Sequence, residues 1–328
     1  MYLMHKYWAR KPHNVVGEYI KNYSKEGDIV LDPFVGSGVT ALEALKYNRK
    51  AIAIDLDPIS TFITKNTAKP IDLNKIKTVF EDLKSKCKKQ ISELYKTKCK
   101  KCKNNAYILA SVWDRNTNDI KEIRYYCFNC KKKDIKKPDD DDTKLVRRIE
   151  KMNIPYWYPK NEFPEGITFN QGRREAGHHF YNLFTKRNLY CISLLWDEIK
   201  RINNNELKEI MSFAFTSMVH LASKMCPVAK PGGKGHWSKF SATSFWAMNS
   251  YWVPPEFMES NVWMLFRSAV ESKQGILRGK NDSNNQIKNY KEALKKSRKA
   301  SERIHNKFTW KASAQRLDNI LREVVNID

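Results

Sequence analysis

The chain has 328 residues and carries 60 lysine and arginine side chains against 36 aspartate and glutamate side chains, a formal net charge of +24. This excess favours a polyanionic partner such as nucleic acid, although a lysine-rich genome composition can account for part of it. The mean hydropathy is −0.66, no apolar run approaches the roughly 18 residues of a membrane span, and the first residues do not form a signal peptide. We therefore expect a cytoplasmic protein of one or two domains that has no membrane partner.

The first 70 residues have the hydrophobic pattern of an α/β fold. Apolar residues at helical spacing predict a helix over 14–23, and a short apolar run predicts a strand at Ile29–Leu31. A helix follows over 39–47, then a second strand over Lys50–Asp55 and a helix that begins at Pro58. Because this strand, helix, strand order implies a right-handed parallel crossover, we predict the first part of a Rossmann-like sheet.

A glycine-rich turn joins the first strand to its helix, with Gly36 and Gly38 one residue apart. Glycines at a helix N-terminus let the backbone approach a ligand closely. No Lys-Ser or Lys-Thr pair follows Gly38, so the turn is not a P-loop, whereas residues 36–41 fit the dinucleotide pattern G-x-G-x-x-A. Asp32 precedes the turn, where a carboxylate suits an ammonium group better than a pyrophosphate. S-adenosylmethionine (SAM) carries such an ammonium group, and its ribose hydroxyls suit Asp55 at the end of the second strand.

A family resemblance makes this interpretation more specific. Residues Asp32–Thr40 read Asp-Pro-Phe-Val-Gly-Ser-Gly-Val-Thr, which resembles the cofactor motif of DNA methyltransferases that modify exocyclic amino groups. The segment His5–His13 resembles the stretch that precedes this motif in that family and closes over the methionine moiety. The resemblance implies SAM as cofactor, double-stranded DNA as partner, and methylation of adenine N6 or cytosine N4 in a restriction–modification or similar system.

The resemblance also assigns roles to single residues. Asp32 would anchor the methionine ammonium group, and Asp55 would bind the ribose, with Asp57 as a neighbour that could replace it. A Ser-Ala pair at Ser313 and Ala314 would border the adenine. The predicted cofactor-binding residues are Tyr7, Trp8, Arg10, Lys11, Asp32, Pro33, Phe34, Gly36, Gly38, Thr40, Asp55, Asp57 and Ser313.

Four of the seven cysteines form the pattern C-x2-C-x24-C-x2-C. Two such tight knuckles suit one tetrahedral zinc ion with Cys99, Cys102, Cys127 and Cys130 as ligands. The residues between them predict a hairpin with its turn at 116–119, and hence a zinc ribbon. The alternative is a pair of redox dithiols. Contact of the ribbon with DNA stays open, and the basic residues that favour it are Lys100, Lys101, Lys103, Arg124, Lys131, Lys132 and Lys133.

The chain changes character after residue 133. The run Asp139–Asp142 predicts a solvated acidic linker, because four consecutive carboxylates cannot all face one metal ion in a regular backbone. Helical spacing then predicts a mainly helical segment, in the place that target-recognition regions occupy in one class of the family. Its basic residues are interleaved with aromatic residues, which is typical of nucleic-acid contact. The alternative is that these aromatic residues form the core of a helical insert. The candidates for DNA binding are Arg173, Arg174, Lys186, Arg187, Lys230 and Lys234.

The predicted fold class is α/β, a partial Rossmann-like SAM methyltransferase sheet with an inserted zinc ribbon and a mainly helical insert. We expect six segments. They are a SAM-binding core over 1–70, a connecting helix over 71–98, a zinc ribbon over 99–133, an acidic linker over 134–144, a helical target-recognition insert over 145–305 and a return to the core over 306–328.

No catalytic residue can be assigned from the sequence. Amino-group methylation needs a hydrogen-bond acceptor and an aromatic ring for the extruded base, which the family supplies as Asp/Asn/Ser-Pro-Pro followed by an aromatic residue. Neither Asn153-Ile154-Pro155-Tyr156 nor Val253-Pro254-Pro255-Glu256 has this form. We therefore expect a front half that binds SAM but is inactive alone, with its catalytic half on a second chain or lost by truncation. Two alternatives are a non-catalytic zinc-ribbon protein that binds nucleic acid and retains a degenerate methyltransferase fold, and a methyltransferase that acts on RNA or protein.

Overall fold

The structure is a computed structural model that describes residues 1–7, 9–228 and 251–287. Among these residues, no helix has both the length and the apolar character that crossing a membrane requires. Several predicted features lie outside the described residues. They are Trp8, Lys230, Lys234, Ser313 and the return to the core over 306–328.

The smaller of two compact units contains Tyr7–Pro70 and the described residues from Asp282 onwards. Its elements are α1 (His13–Tyr23), β1 (Ile29–Asp32), α2 (Val39–Lys46), β2 (Lys50–Ala53) and α3 (Pro58–Ala68). β1 and β2 pair in parallel with Asp32 opposite Ala53, as the order of elements predicts. α3 begins at Pro58, where the Asp57 side chain accepts a hydrogen bond from the Ile59 amide at 3.0 Å.

The larger unit contains Met1–Lys6 and Ile71–Asn281. Its strands are β3 (Lys96–Lys98), β4 (Asn105–Asp114), β5 (Asp119–Cys127), β6 (Lys132–Lys136) and β7 (Glu256–Ser260). All of their pairings are antiparallel, and β4 is central because it pairs with β3, β5 and β7. The fold is therefore mixed α/β as predicted, but in the described part of the chain the parallel sheet is limited to β1 and β2.

Helices complete the larger unit. They are α4 (Leu73–Glu93), α5 (Asp140–Glu150), α6 (Ile167–Ala176), α7 (Lys186–Lys200), α8 (Asn205–Val219), α9 (Val262–Glu271) and α10 (Ile276–Gln286), which begins in this unit. The buried Phe80 of α4 stacks on Trp263 of α9 with 5.7 Å between ring centroids. These helices thus bury their apolar faces against one another.

The predicted ribbon and helical insert share one core, contrary to the expected division into separate segments. Trp113 of β4 and Phe257 of β7 stack in a buried cluster that also contains Phe163 and Leu183. The connecting helix is also shorter than predicted, because Lys96–Lys98 leave it to pair with β4. Strand pairing of this kind is not encoded in helical spacing.

The prediction of an acidic linker is wrong, because its aspartates begin helix α5. The Asp139 side chain accepts a hydrogen bond from the Asp142 amide at 3.1 Å, and the Asp142 side chain accepts one from the Asp139 amide at 3.0 Å. Asp142 is buried, where it lies 2.7 Å from Lys136 Nζ and accepts a hydrogen bond from the Thr97 hydroxyl at 2.6 Å. Carboxylates at a helix N-terminus also interact favourably with the helix dipole.

Candidate cofactor site and metal centre

The carboxyl ends of β1 and β2 bring the two predicted acids to one edge of the sheet. The Ile54 amide donates a hydrogen bond to the Asp32 carbonyl at 2.9 Å, so the residues that follow each strand lie side by side. Oδ2 of Asp55 accepts a hydrogen bond from the Gly36 amide at 2.8 Å, and its Oδ1 accepts one from the Asp57 amide at 2.9 Å. The Asp55 carboxylate therefore holds the glycine turn against the end of β2.

Asp32 uses its carboxylate differently. Its Oδ1 accepts a hydrogen bond from the Phe34 amide at 3.1 Å, whereas its Oδ2 accepts none from the residues that the structure describes. The side chain is half-buried. Because one oxygen is fixed by the backbone, the other can accept hydrogen bonds from a cationic ligand without further ordering of the side chain.

The glycine turn requires glycine at both predicted positions. Gly36 and Gly38 have φ angles of 51° and 85°, in the left-handed region that side chains disfavour. A Cβ atom on Gly38 would lie 2.6 Å from Oγ1 of Thr64, and one on Gly36 would lie 3.0 Å from the Tyr7 hydroxyl oxygen. The turn is therefore held closely from two sides, and Gly36 and Gly38 are both buried.

Tyr7 and Arg10, two of the predicted cofactor-binding residues, lie against this turn and α3. The Tyr7 hydroxyl accepts a hydrogen bond from Ser60 Oγ at 3.5 Å, and Arg10 Nε donates one to Ser37 Oγ at 3.3 Å. Lys11 is exposed. Sequence reasoning missed Ser60 and Thr64, because no spacing rule relates these residues of α3 to the turn.

The remaining predicted cofactor residues surround the same edge. Phe34 is 71% exposed, while Pro33 and Thr40 are half-buried. Asp57 caps α3 and accepts a second hydrogen bond from Ser60 Oγ at 3.3 Å. An exposed aromatic ring beside a carboxylate and a bare backbone turn can bind a ligand that has both a heteroaromatic ring and a positive charge.

A sequence profile described as DNA methylase matches residues 3–66, which include every contact of the glycine turn described above. Residues 3–66, which we call the methyltransferase segment, belong to the N6/N4 DNA methyltransferase family. This segment ends within α3, so the match leaves the larger unit almost entirely outside.

Several relatives support this membership. Type II methyltransferase M.MjaII of Methanocaldococcus jannaschii is 24% identical over 160 residues, which are 49% of this chain and 28% of that protein. Type II methyltransferase M2.DpnII of Streptococcus pneumoniae is 42% identical over 52 residues, 16% of this chain and 19% of that protein. A Haemophilus influenzae protein named "Probable type III restriction-modification enzyme HindVI Mod subunit" is 44% identical over 65 residues, 20% of this chain and 9% of that protein. The chain thus spans less than a third of each relative, and no solved structure gives a significant match.

The four predicted zinc ligands come together in the larger unit. Their sulfur atoms all lie within 4.8 Å of one another. The Sγ atoms of Cys99 and Cys130 are 3.9 Å apart, and those of Cys102 and Cys127 are 3.5 Å apart. Thiolates bound to one tetrahedral zinc ion at about 2.3 Å are about 3.8 Å apart, whereas a disulfide requires about 2.0 Å. The donor set and its spacing therefore fit zinc and do not fit disulfides.

Hydrogen bonds shift the pKa values of the Cys99, Cys102 and Cys130 thiols in opposite directions. The Cys102 amide lowers the pKa of the Cys99 thiol to about 6, and the Asn104 amide lowers the pKa of Cys102. Hydrogen bonds with Cys102 and Cys127 raise the pKa of Cys130 to about 12, because the crowded sulfur atoms disfavour a further negative charge. A divalent cation would offset that repulsion and favour four thiolates. The Tyr125 hydroxyl, which sequence reasoning missed, lies 3.6 Å from Cys99 Sγ.

The prediction that Arg187 contacts DNA is wrong, because its side chain is buried. Its Nε atom donates a hydrogen bond to Glu259 Oε1 at 3.1 Å, and its NH2 group forms an ion pair with Oε2. The guanidinium group also lies over the Tyr95 ring, 5.0 Å from the centroid, and donates to Ser111 Oγ at 3.2 Å. This guanidinium is therefore part of the core and is not available to phosphates.

The other described DNA candidates lie in different settings. Arg173 donates a hydrogen bond to the Phe163 carbonyl, while Arg174 is exposed on α6. Lys186 lines a cavity of about 210 Å³ that Lys224 also lines. Burial lowers the pKa of Lys224. The structure thus leaves Arg174 and Lys186 as the accessible members of this set within the described residues.

The two proline-containing stretches that were compared with the catalytic motif serve the fold. Val253 is fully buried, and its amide donates a hydrogen bond to Glu175 at 2.7 Å. Tyr156 packs edge-on against Tyr190 with 5.6 Å between ring centroids. Neither stretch resembles a site for an extruded base.

Proposed function

We propose that the chain binds SAM at the carboxyl ends of β1 and β2 and acts in the methylation of an exocyclic amino group of DNA, adenine N6 or cytosine N4. The observation that carries this proposal is the Asp32 carboxylate, which has one oxygen fixed by the Phe34 amide beside a glycine turn. Its Oδ2 would bind the methionine ammonium group. Membership of the methyltransferase segment in the N6/N4 family supports the choice of cofactor.

The other residues of the edge would each take one part of the cofactor. Each oxygen of Asp55 accepts one backbone hydrogen bond, so each keeps a lone pair for a ribose hydroxyl. Phe34 would cover an apolar surface of the ligand, and Tyr7 and Arg10 would close the site from the N-terminal segment. When bound, SAM would supply the methyl group for transfer.

The acceptor side of the reaction is not encoded by a recognisable motif in these 328 residues. We propose that the base-binding aromatic residue and the acceptor for the target amine belong to a second polypeptide segment, which acts with this chain on double-stranded DNA in the cytoplasm. Relatives named as restriction–modification proteins make that kind of system our choice.

We also propose that Cys99, Cys102, Cys127 and Cys130 hold one zinc ion. The distances between their sulfur atoms support this assignment. The ion would join the two knuckles that flank β4 and β5 and would supply structural rather than catalytic chemistry, since four thiolates complete its tetrahedral shell.

Calorimetric titration of SAM tests the cofactor assignment. The purified chain should bind SAM, and Asp32→Asn should weaken binding about 10- to 100-fold, which corresponds to the 1.5–3 kcal/mol of a hydrogen bond to a charged group. Glu26→Gln is the matched control, because Glu26 is an exposed acid of the same unit. Absence of SAM binding together with salt-sensitive DNA binding would instead favour a non-catalytic nucleic-acid-binding protein, which the cysteine site and the net charge would also suit.

Tritiated SAM and duplex DNA test the second part of the proposal. The chain alone should transfer no methyl group above the level of a heat-denatured sample. Robust turnover by the purified 328-residue chain would contradict the assignment of the acceptor motif to another segment.

A further inference from the structure

The two cysteine knuckles share an unusual backbone feature. The residue after the second cysteine of each knuckle is a lysine with positive φ, 58° at Lys103 and 50° at Lys131. The other non-glycine residues with positive φ in the described chain are asparagines, Asn48 and Asn118. Asparagine tolerates this conformation because its short polar side chain can hydrogen-bond locally, whereas lysine has no such compensation. Both knuckles therefore carry a lysine where the backbone favours glycine or asparagine.

A second feature lies between the ligands of the second knuckle. Phe128 is 66% exposed, and its ring packs edge-on against Tyr126 with 5.2 Å between centroids. Burial of a phenylalanine ring is favourable, so exposure of most of this ring forgoes that gain. Contact with Tyr126 nevertheless holds the ring in a defined orientation.

The charges around this ring are mostly uncompensated. Lys101, Lys103, Lys131 and Lys132 are exposed and form no ion pair with a carboxylate of the described residues. By contrast, Lys100 lies 2.9 Å from Asp134. We define the knuckle surface as Phe128 with Lys101, Lys103, Lys131 and Lys132. Because the four cysteine sulfur atoms converge within 4.8 Å, the two loops that carry these residues are neighbours.

We propose that the knuckle surface binds double-stranded DNA, with its lysines on phosphates and the Phe128 ring against sugars and base edges of a groove. Lysines that form no ion pair within the described residues and an exposed ring are the complement of a polyanion that has apolar groove walls. The inference rests on the proposed function in that DNA is taken as the substrate. It adds a contact surface that lies outside the residues matched by the methyltransferase profile.

Fluorescence anisotropy with a labelled duplex tests the proposal. Phe128→Ala should weaken binding about tenfold. The double variant Lys103→Asn with Lys131→Asn should weaken it by a similar factor and reduce the slope of log affinity against log salt by about 2, because two phosphate contacts are lost. Asparagine suits the positive φ at both positions, so this variant should melt at the same temperature as the wild type or higher. Weaker DNA binding with retained stability is an outcome that a purely structural role would not give.

The matched control removes two charges elsewhere in the same unit. Lys88→Gln with Lys89→Gln changes exposed lysines of α4 and should leave the salt slope within about 0.5 of the wild type. An equal loss of DNA affinity in the control and in the double variant Lys103→Asn with Lys131→Asn would overturn the proposal. Wild-type DNA affinity in both Phe128→Ala and this double variant would also overturn it, as would tighter binding to single-stranded than to duplex DNA. SAM titration of the same variants keeps the two hypotheses distinguishable, since unchanged SAM binding with unchanged DNA binding rejects only the knuckle surface.

Discussion

Two acids, Glu259 in the larger unit and Asp32 in the smaller unit, differ in how completely the fold satisfies their carboxylate oxygens. In the larger unit, both oxygens of the buried Glu259 carboxylate are bound, by Arg187, by the Thr185 hydroxyl and by Trp113 Nε1 at 2.8 Å. In the smaller unit, Asp32 Oδ2 accepts no hydrogen bond from the residues that the structure describes. A fully bonded acid stabilises the fold, whereas an acid with an open oxygen at a sheet edge is available to a ligand.

Each unit buries apolar residues and leaves others exposed. In the larger unit, Trp113, Phe257 and Phe266 are buried, whereas Phe128 is 66% exposed. In the smaller unit, Leu42 and Ile63 are buried, whereas Phe34 is 71% exposed just after β1. The exposed rings of Phe34 and Phe128 are therefore available to contact a ligand.

Removal of the proposed zinc ion should produce the largest effect, because the ion would join the two knuckles of the larger unit. Cys127→Ser should abolish stoichiometric zinc binding and lower the free energy of unfolding by about 5 kcal/mol or more. Elemental analysis and denaturant unfolding measure both quantities. Cys87→Ala is the control, because Cys87 is a buried cysteine of α4 outside the cluster. Zinc content that is equal in both variants would contradict the assignment.

Breaking the buried ion pair should produce the next largest effect. Arg187→Met leaves the Glu259 carboxylate buried without its guanidinium partner and should cost about 3–5 kcal/mol. The double variant with Glu259→Leu should recover most of that loss, since no unpaired charge remains. Urea unfolding measures both variants. Lys186→Met is the neighbouring control, and a loss as large there would show that charge near α7, rather than the buried pair, determines stability.

Filling the glycine turn should have an intermediate effect. Gly38→Ala places a Cβ atom 2.6 Å from Thr64 Oγ1 at a φ of 85°, and should cost about 2–4 kcal/mol and weaken SAM binding. Gly27→Ala separates the two causes, because Gly27 has a φ of 88° but a Cβ atom there would meet nothing within 4 Å. It should cost about 1 kcal/mol. Adding Thr64→Ala to Gly38→Ala should remove the part of the stability loss that exceeds the loss in Gly27→Ala, because the clash with Thr64 is then absent. Thermal melts of the three variants measure these losses.

The pH dependence of the larger unit should show the smallest effect. Burial alone would raise the pKa of Glu259, but the charge of Arg187 and its hydrogen bonds hold that pKa below the ordinary value. The unfolded state therefore binds the proton more readily, so the stabilisation is complete above about pH 4.3 and is lost as the pH falls through the folded pKa. The wild type should lose at most about 1.4 kcal/mol per pH unit more than the Arg187→Met and Glu259→Leu double variant. If the urea midpoints of the two proteins fall by the same amount between pH 5 and pH 3, this account is contradicted.

Local sequence was sufficient for the features that depend on neighbouring residues. The spacing of apolar residues predicted α1, helix-forming residues predicted α2, and Pro58 predicted the start of α3. Asp32, Gly36 and Gly38 predicted the turn, because backbone conformation there is set within a few residues. The cysteine spacing likewise predicted four sulfur atoms near one point. The family of the methyltransferase segment was recognisable for the same reason, since its motif is continuous in sequence.

Only the tertiary structure decided which charges are internal and which strands meet. Arg187 looks like a DNA-contacting residue in sequence, but Glu259 lies 72 positions away and removes it from the surface. β7 joins the sheet by pairing with β4. Asp142 is buried, where it forms an ion pair with Lys136 and accepts a hydrogen bond from Thr97. Each of these outcomes depends on contacts between distant segments, whose burial and register are fixed by the packing of the whole unit rather than by local propensity.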